Sequence, residues 1–212
     1  MSTTCNLLLV GVGGQGVLST ARLLGRAATE ADLEVRVGQI YGLSQRGGSV
    51  EATVRIGPVS TAFISGAEAD VVLGLEPLET ERALPRMSAR TTVLINRTPI
   101  VPTSLTLDRA DYPDVESIVE HIDSIAGIVH VIDGDALARL AGDPPRLTMV
   151  MLGALDGLGA LPIPSDILET AVERHGSELD SGRRGRAFRR GREFGESALV
   201  DISNRQSDPI DH

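Results

Sequence analysis

The chain has 212 residues, a formal net charge of −9 and a hydrophobic fraction of 42%, with only 2% aromatic residues and no Trp. That length suits one domain with a core built from Leu, Val, Ile and Ala, and the acidity and scarce aromatics exclude a general nucleic-acid binder or a base-stacking platform. The single cysteine, Cys5, excludes an internal disulfide framework and a cysteine-ligated metal or iron–sulfur centre held by this chain alone.

The lead before residue 6 is short and uncharged, unlike a signal peptide, and no apolar run reaches membrane-spanning length. The expectation is a cytoplasmic protein without membrane contact. Leu7, Leu8, Leu9 and Val10 form a continuous apolar run, as in a strand buried on both faces. A glycine turn follows. Val17, Ala21, Leu24 and Ala28 then recur at helical spacing within residues 15–31. Residues 34–40 read as a second strand, and the order predicts a βαβ unit with a right-handed crossover onto a parallel sheet. Residues 41–49 form a loop. Residues 50–56 alternate as a strand, and Gly57-Pro58 turns the chain so that 59–64 is read as its hairpin partner.

Two further strands are predicted at 70–75 and 91–96, joined by a short helix at 78–84. Residues 97–111 show little periodicity. A helix over 113–126 carries Asp114 and Glu116 in its first turn, favourable against the helix dipole, and 128–133 reads as the last strand. After Pro144-Pro145 the pattern changes. Residues 146–158 are helical and apolar nearly all round, which predicts a helix buried in the core or against a partner. Ser165 is read as the N-cap of a helix running to His175, and an arginine-rich helix spans 183–199. The fold class is α/β. Residues 1–142 are expected to form a Rossmann-like three-layer α/β/α domain with a mainly parallel sheet. Residues 143–200 are read as helices packed on that domain, and 201–212 as a frayed tail.

Gly11, Gly13 and Gly16 satisfy G-x-G-x-x-G within Gly11-Val12-Gly13-Gly14-Gln15-Gly16. A dinucleotide site also needs an acid at the end of the second strand. Gln39, Ile40 and Tyr41 stand there, while Asp32 and Glu34 come too early. An anion at the helix N-terminus and simple tight packing of helix on sheet both stay open. The second loop, Ser44-Gln45-Arg46-Gly47-Gly48-Ser49, is placed on the same edge of the sheet. Arg46 could grip a carboxylate or phosphate, with Gly47 and Gly48 turning N–H groups toward it; a plain turn with a solvated arginine fits equally. Arg183, Arg184, Arg186, Arg189, Arg190 and Arg192 read as a solvated helix face or a contact for an acidic partner. His121, His130, His175 and His212 are scattered, and no Ser-His-Asp order or carboxylate pair stands out.

Together the two loops are specific. Gly11-Val-Gly-Gly-Gln-Gly16 with Tyr41-Gly-Leu-Ser-Gln-Arg-Gly-Gly-Ser49 resembles the gamma domain of 2-oxoacid:ferredoxin oxidoreductases, and the Ser-Gln-Arg-Gly-Gly form is most similar to the indolepyruvate branch. Met149-Val-Met-Leu-Gly-Ala-Leu155, Leu161-Pro-Ile-Pro164 and Ala187-Phe188 with Gly191 extend the resemblance over nearly the whole chain. It implies a small subunit, inactive alone, of an enzyme that oxidatively decarboxylates indolepyruvate or other arylpyruvates to acyl-CoA while reducing ferredoxin. Thiamine diphosphate, Mg and [4Fe-4S] clusters are then expected on a large partner subunit, none held by this chain alone, with coenzyme A as co-substrate. The two glycine loops are expected to face that partner or a ligand, with Arg46 as the anion contact. Another 2-oxoacid (pyruvate, 2-oxoglutarate or a branched-chain acid), a stand-alone NAD(P)-dependent dehydrogenase and a regulatory Rossmann-like module are the competing readings.

Overall fold

A computed structural model describes residues 4–41, 48–100, 112–142, 146–176 and 180–207. Strands β1 (Cys5–Val12), β2 (Val35–Tyr41), β3 (Ser49–Ile56), β4 (Val71–Gly74), β5 (Thr92–Asn96) and β6 (Ile128–Ile132) form one sheet in the order β2-β3-β1-β4-β5-β6. Helix α1 (Val17–Glu30) follows β1. Helix α2 (Pro77–Arg82) and a 3-10 turn (Leu84–Arg86) follow β4, α3 (Val115–Asp123) lies between β5 and β6, and α4 (Gly134–Ala141) follows β6. Helices α5 (Leu147–Gly157), α6 (Ser165–Arg174) and α7 (Ser181–Ser207) complete the chain. Helix α4 has no counterpart in the sequence reading.

The sheet is mainly parallel, as expected, with one correction. β1, β4, β5 and β6 pair in parallel, but β3 is antiparallel to both β1 and β2. β2 therefore runs in the direction of β1 without touching it, so the predicted βαβ unit spans an inserted strand. The connection from β2 to β3 is too short for a crossover, which needs a dozen or more residues, so β3 turns back. The predicted hairpin partner at 59–64 does not form. β3 already has a strand on each edge, so no main-chain ladder is left to offer. Its side chains hold that segment instead: Thr53 Oγ1 donates to Ala62 O at 2.7 Å, and an Arg55 guanidinium N–H to Phe63 O at 2.7 Å.

The apolar run of β1 feeds two cores. Leu7 and Leu9 join Val54, Leu73 and Leu94 under α1, α5, α6 and α7. Leu8 and Val10 join Val72, Val93 and Ile95 under α2 and α3. A strand covered on both faces needs no polar alternation, and each fully buried aliphatic side chain contributes about 1.5–3 kcal/mol.

Helix α5 is apolar all round because it is enclosed: Val150, Met151, Leu152, Ala154 and Leu155 are all 0% exposed. Its outer side meets α7 backbone to backbone. A Cβ on Gly153 would stand 1.8 Å from Phe188 O, and one on Gly191 would stand 1.8 Å from Val150 O. Gly157 against Arg192 O and Gly195 against Ala154 O repeat the contact one turn on, each at 2.3 Å. Two glycine pairs at four-residue spacing thus let the helices touch. The arginines of α7 largely pair within the chain, with Arg183, Arg186, Arg189 and Arg190 on an exposed face. Arg192 pairs with Asp156 at 2.7 Å and Glu169 at 2.9 Å, and Arg189 with Glu169 at 2.6 Å. Asp156 is only 3% exposed on its side chain, so its pair is screened less than that of Arg189, which is 47% exposed. Two boundaries also move. Ser165 is the first residue of α6, with Pro164 in the cap position, and its hydroxyl bonds Asp156 at 2.8 Å. Helix α7 continues to Ser207 instead of stopping near 199.

Replacing an ordinary helical glycine with alanine stabilises by up to about 1 kcal/mol. Gly182→Ala, at an exposed position where the new methyl has ordinary space, should follow that rule. Gly153→Ala and Gly191→Ala should reverse the sign and cost roughly 1–3 kcal/mol or more, because no rotamer removes a methyl from a carbonyl. Urea-unfolding midpoints of the three variants check this.

Candidate functional site

The C-terminal ends of the five co-directional strands share one edge of the sheet, and helices α1 to α5 begin there. The strand order reverses between β1 and β4, where open α/β sheets leave a crevice for ligands. Here Gln15 fills it. Its Oε1 accepts from Val12 N at 2.7 Å, and its Nε2 donates to Leu75 O at 2.8 Å, joining the ends of β1 and β4. Gly11 makes room: a Cβ there would lie 2.7 Å from Gln15 Oε1. A pyrophosphate in the usual dinucleotide position would have to displace this amide. With no acid at the end of β2, the geometry speaks against a stand-alone dehydrogenase.

The glycine loops meet. Gly13 N donates to Gly48 O at 2.9 Å, which ties the turn after β1 to the entry of β3, and Ser49 opens β3 as an exposed residue. Gly14 lies in the turn with φ +106°, and Gly16 is the N-cap of α1 with φ +84°, a conformation that favours glycine. Ser44, Gln45, Arg46 and Gly47 lie outside the described residues.

Helix caps divide this edge into two classes. Glu76, Asp114 and Asp133 cap α2, α3 and α4, their carboxylates accepting from Glu79 N, Ser117 N and Ala136 N. Helices α1 and α5 have no side-chain cap and no acid in the first turn. These two ends abut: a Cβ on Gly16 would lie 3.5 Å from Thr148 Cγ2. Uncapped N–H groups and two positive dipole ends therefore converge at one place. The charge beside α5 adds to this. Arg146, Arg183 and Arg184 share the single carboxylate of Asp180. Burial, then the neighbouring Arg146, lowers the pKa of Arg184.

Sequence reasoning missed a buried polar pair along the same edge. Glu76 is 0% exposed. Its second oxygen accepts from Ile100 N at 3.2 Å and, in a short bond, from the Tyr112 hydroxyl. Burial pushes Glu76 above the usual carboxylate range against the pull of these donors, and burial followed by Glu76 pushes Tyr112 up. The signal was present, since an acid before Pro77 reads as a cap followed by proline in the first turn. Asn96, at the end of β5, is likewise fully enclosed: it donates to Asp135 at 2.9 Å and accepts from Gly134 N at 3.1 Å.

The fold also builds a Ser-His contact that chain order did not suggest. Ser19 Oγ lies 2.8 Å from His175 Nε2, and Arg26 lies 2.7 Å from His175 Nδ1. A guanidinium only donates, so Nδ1 is the acceptor and the proton sits on Nε2, pointing at Ser19. That polarity is the reverse of what activates a nucleophile. Burial, then Arg26 and Arg184, holds His175 below its ordinary pKa. Cys5 is no nucleophile either, because burial and then Asp70 push its thiol up to about 12. Among the described residues no group of His, Cys, Asp and Glu is placed to hold a metal ion. No helix among them is long and apolar enough to cross a membrane.

Residues 6–194 match the family model described as pyruvate ferredoxin/flavodoxin oxidoreductase. The chain is 39% identical over 167 residues to the indolepyruvate oxidoreductase subunit IorB of Methanothermobacter thermautotrophicus, covering 79% of this chain and 85% of the relative. Among solved structures it resembles the pyruvate oxidoreductase subunit PORC of Thermotoga maritima, with a TM-score of 0.66 at 23% identity over 90% of this chain and 96% of that one. It also resembles the 2-oxoglutarate:ferredoxin oxidoreductase of Magnetococcus marinus, with a TM-score of 0.69 at 20% identity, spanning 93% of this chain and 32% of the other.

Gln15→Glu keeps the acceptor for Val12 N but sets a carboxylate oxygen against Leu75 O. It should cost about 1–3 kcal/mol, readable as a fall in thermal midpoint, whereas a purely space-filling role predicts no change. His175 tests the other contact by pH. Its pKa is lowered on folding, so the unfolded chain takes the proton first; the contribution is complete above the ordinary histidine pKa and lost as pH falls below it. Between pH 7.5 and 5, urea midpoints should fall more steeply for the wild type than for His175→Gln.

Proposed function

The chain belongs to the pyruvate ferredoxin/flavodoxin oxidoreductase family, and from that premise we propose that it is the small subunit of a thiamine-diphosphate-dependent 2-oxoacid:ferredoxin oxidoreductase. The proposed reaction is oxidative decarboxylation of indolepyruvate and other arylpyruvates to acyl-CoA with reduction of ferredoxin. The 39% identity to an indolepyruvate oxidoreductase subunit supports that substrate class. In this reading thiamine diphosphate, Mg and [4Fe-4S] clusters belong to a large partner subunit, and when bound there they supply the decarboxylation and the electron path. The residues of this chain support that assignment, since the one cysteine is half-buried with its thiol pushed up to about 12.

The single observation that carries a role for this chain is the pair of uncapped helix ends meeting at Gly16 and Thr148. Buried or half-buried helix ends need partners for their N–H groups. Three of the five helices starting at this edge supply their own carboxylate, and two leave the position open beside a cluster of arginines. We place the anionic portion of coenzyme A, or an acidic group of the partner subunit, against this edge, with Arg46 as its guanidinium contact. Here the chain binds and orients, and the large subunit does the chemistry. Gln15, by closing the β1–β4 crevice, directs the ligand to the rim instead of between the strands.

Co-expressed with its large partner, the chain should support reduction of ferredoxin by indolepyruvate in the presence of coenzyme A, and alone it should support none. Arg46→Ala should lower turnover of the complex about tenfold or more, the cost of one lost charge-assisted contact, while the subunit stays folded. Unchanged turnover at both limiting and saturating coenzyme A would remove Arg46 from the proposed role.

A further inference from the structure

Among the described residues no strand lies beside the outer edge of the sheet at β2. Glu34 O bonds Gly57 N at 2.8 Å, so by strand alternation Val35 and Val37 turn their N–H and C=O groups away from β3. The Arg36 guanidinium already reaches Val35 O at 2.9 Å. Val37 is 43% exposed although it is apolar and central in its strand. Between β2 and α1 lies a groove of about 570 Å³. Val35 and Val37 of the strand and the exposed Arg22, Arg26 and Glu30 of the helix line it. Gly25 brings α1 close to the strand, since a Cβ there would lie 2.7 Å from Val37 Cγ2.

Among the described residues these features form an open strand edge with a sign. Two guanidiniums and one carboxylate line the groove, and Arg36 is exposed on the same strand, in a chain whose net charge is −9. A second copy paired edge to edge about Arg36 would bring Arg36 against Arg36. We propose that the β2 edge docks an extended acidic–apolar segment of the large partner subunit, which adds to the sheet as a further strand. This rests on the small-subunit reading above. The segment's main chain pairs with Val35 and Val37, an apolar side chain lies on Val37, and carboxylates meet Arg22 and Arg26. Main-chain pairing supplies affinity, and the alternating side chains supply the choice of partner.

The test uses the co-expressed complex and the chain alone. Hydrogen exchange of the Val35 and Val37 amides should slow about tenfold or more in the complex, as when a fraying edge strand gains a ladder. Arg22→Glu, at an exposed position outside the core, should weaken assembly about tenfold or more, and Arg90→Glu should leave it unchanged. A complex that forms while both amides exchange at the free rate overturns the docking edge alone, as does an Arg22→Glu chain that assembles like the wild type. Failure of any complex to form overturns this proposal together with the small-subunit reading. Protection of β2 that grows with the concentration of the isolated chain assigns the edge to a second copy and overturns it too.

Discussion

Contact between two helix backbones sets the position of most of what surrounds it. Helices α5 and α7 meet through Gly153, Gly157, Gly191 and Gly195, at separations where any side chain would strike a carbonyl or an amide. The contact fixes how close α5 lies to α7 and, through the enclosed side chains on its other side, how α5 lies on the sheet. The N-terminus of α5 is thereby brought against both Gly16 and Gly134, where a Cβ would meet Leu147 at 2.6 Å. A shift of α5 by one methyl radius would be felt at three helix ends and at the edge where ligands are received, because close-packed interiors transmit strain.

That edge shows how one physical need is met in two ways. Every helix start leaves N–H groups without partners. At α2, α3 and α4 the chain spends an acid on each, and at Glu76 the carboxylate is enclosed completely and takes further donors. At α1 and α5 it spends none and places arginines nearby. Helix capping is inexpensive to encode, so its absence from two adjoining helices is consistent with an outside acceptor.

Legibility in the sequence followed the range of the signal. The two-faced burial of β1 and the all-round burial of α5 depend on local periodicity, and both can be read from residue order. Strand order does not. The insertion of β3 between β1 and β2 depends on which edge is free when the chain returns, and it also removed the hairpin expected at 59–64. Helix α4 is too short for a period to declare itself, though Asp133 before Gly134 was a usable cap signal. The paired glycines of α5 and α7 were visible at four-residue spacing, but a glycine within a helix reads first as a cost, and only the facing helix shows its purpose. At the candidate site the first glycine loop was legible from its motif. The Gln15 bridge was not, because its second partner lies on another strand. Ser19 and His175 stand 156 positions apart, beyond the reach of any motif.

The division of β1 between two cores also has a consequence for the order of assembly. Leu8 and Val10 are covered by α2 and α3, which follow soon after in the chain. Leu7 and Leu9 share their core with α5, α6 and α7, which are synthesised after the six strands, as well as with α1. On the ribosome, one side of the sheet can close while the other still shows bare aliphatic residues, because contacts of large sequence separation form late. A chain synthesised only as far as α3 therefore holds the partners of one face and lacks those that α5, α6 and α7 supply to the other, and exposed aliphatic surface of that kind is what chaperones hold.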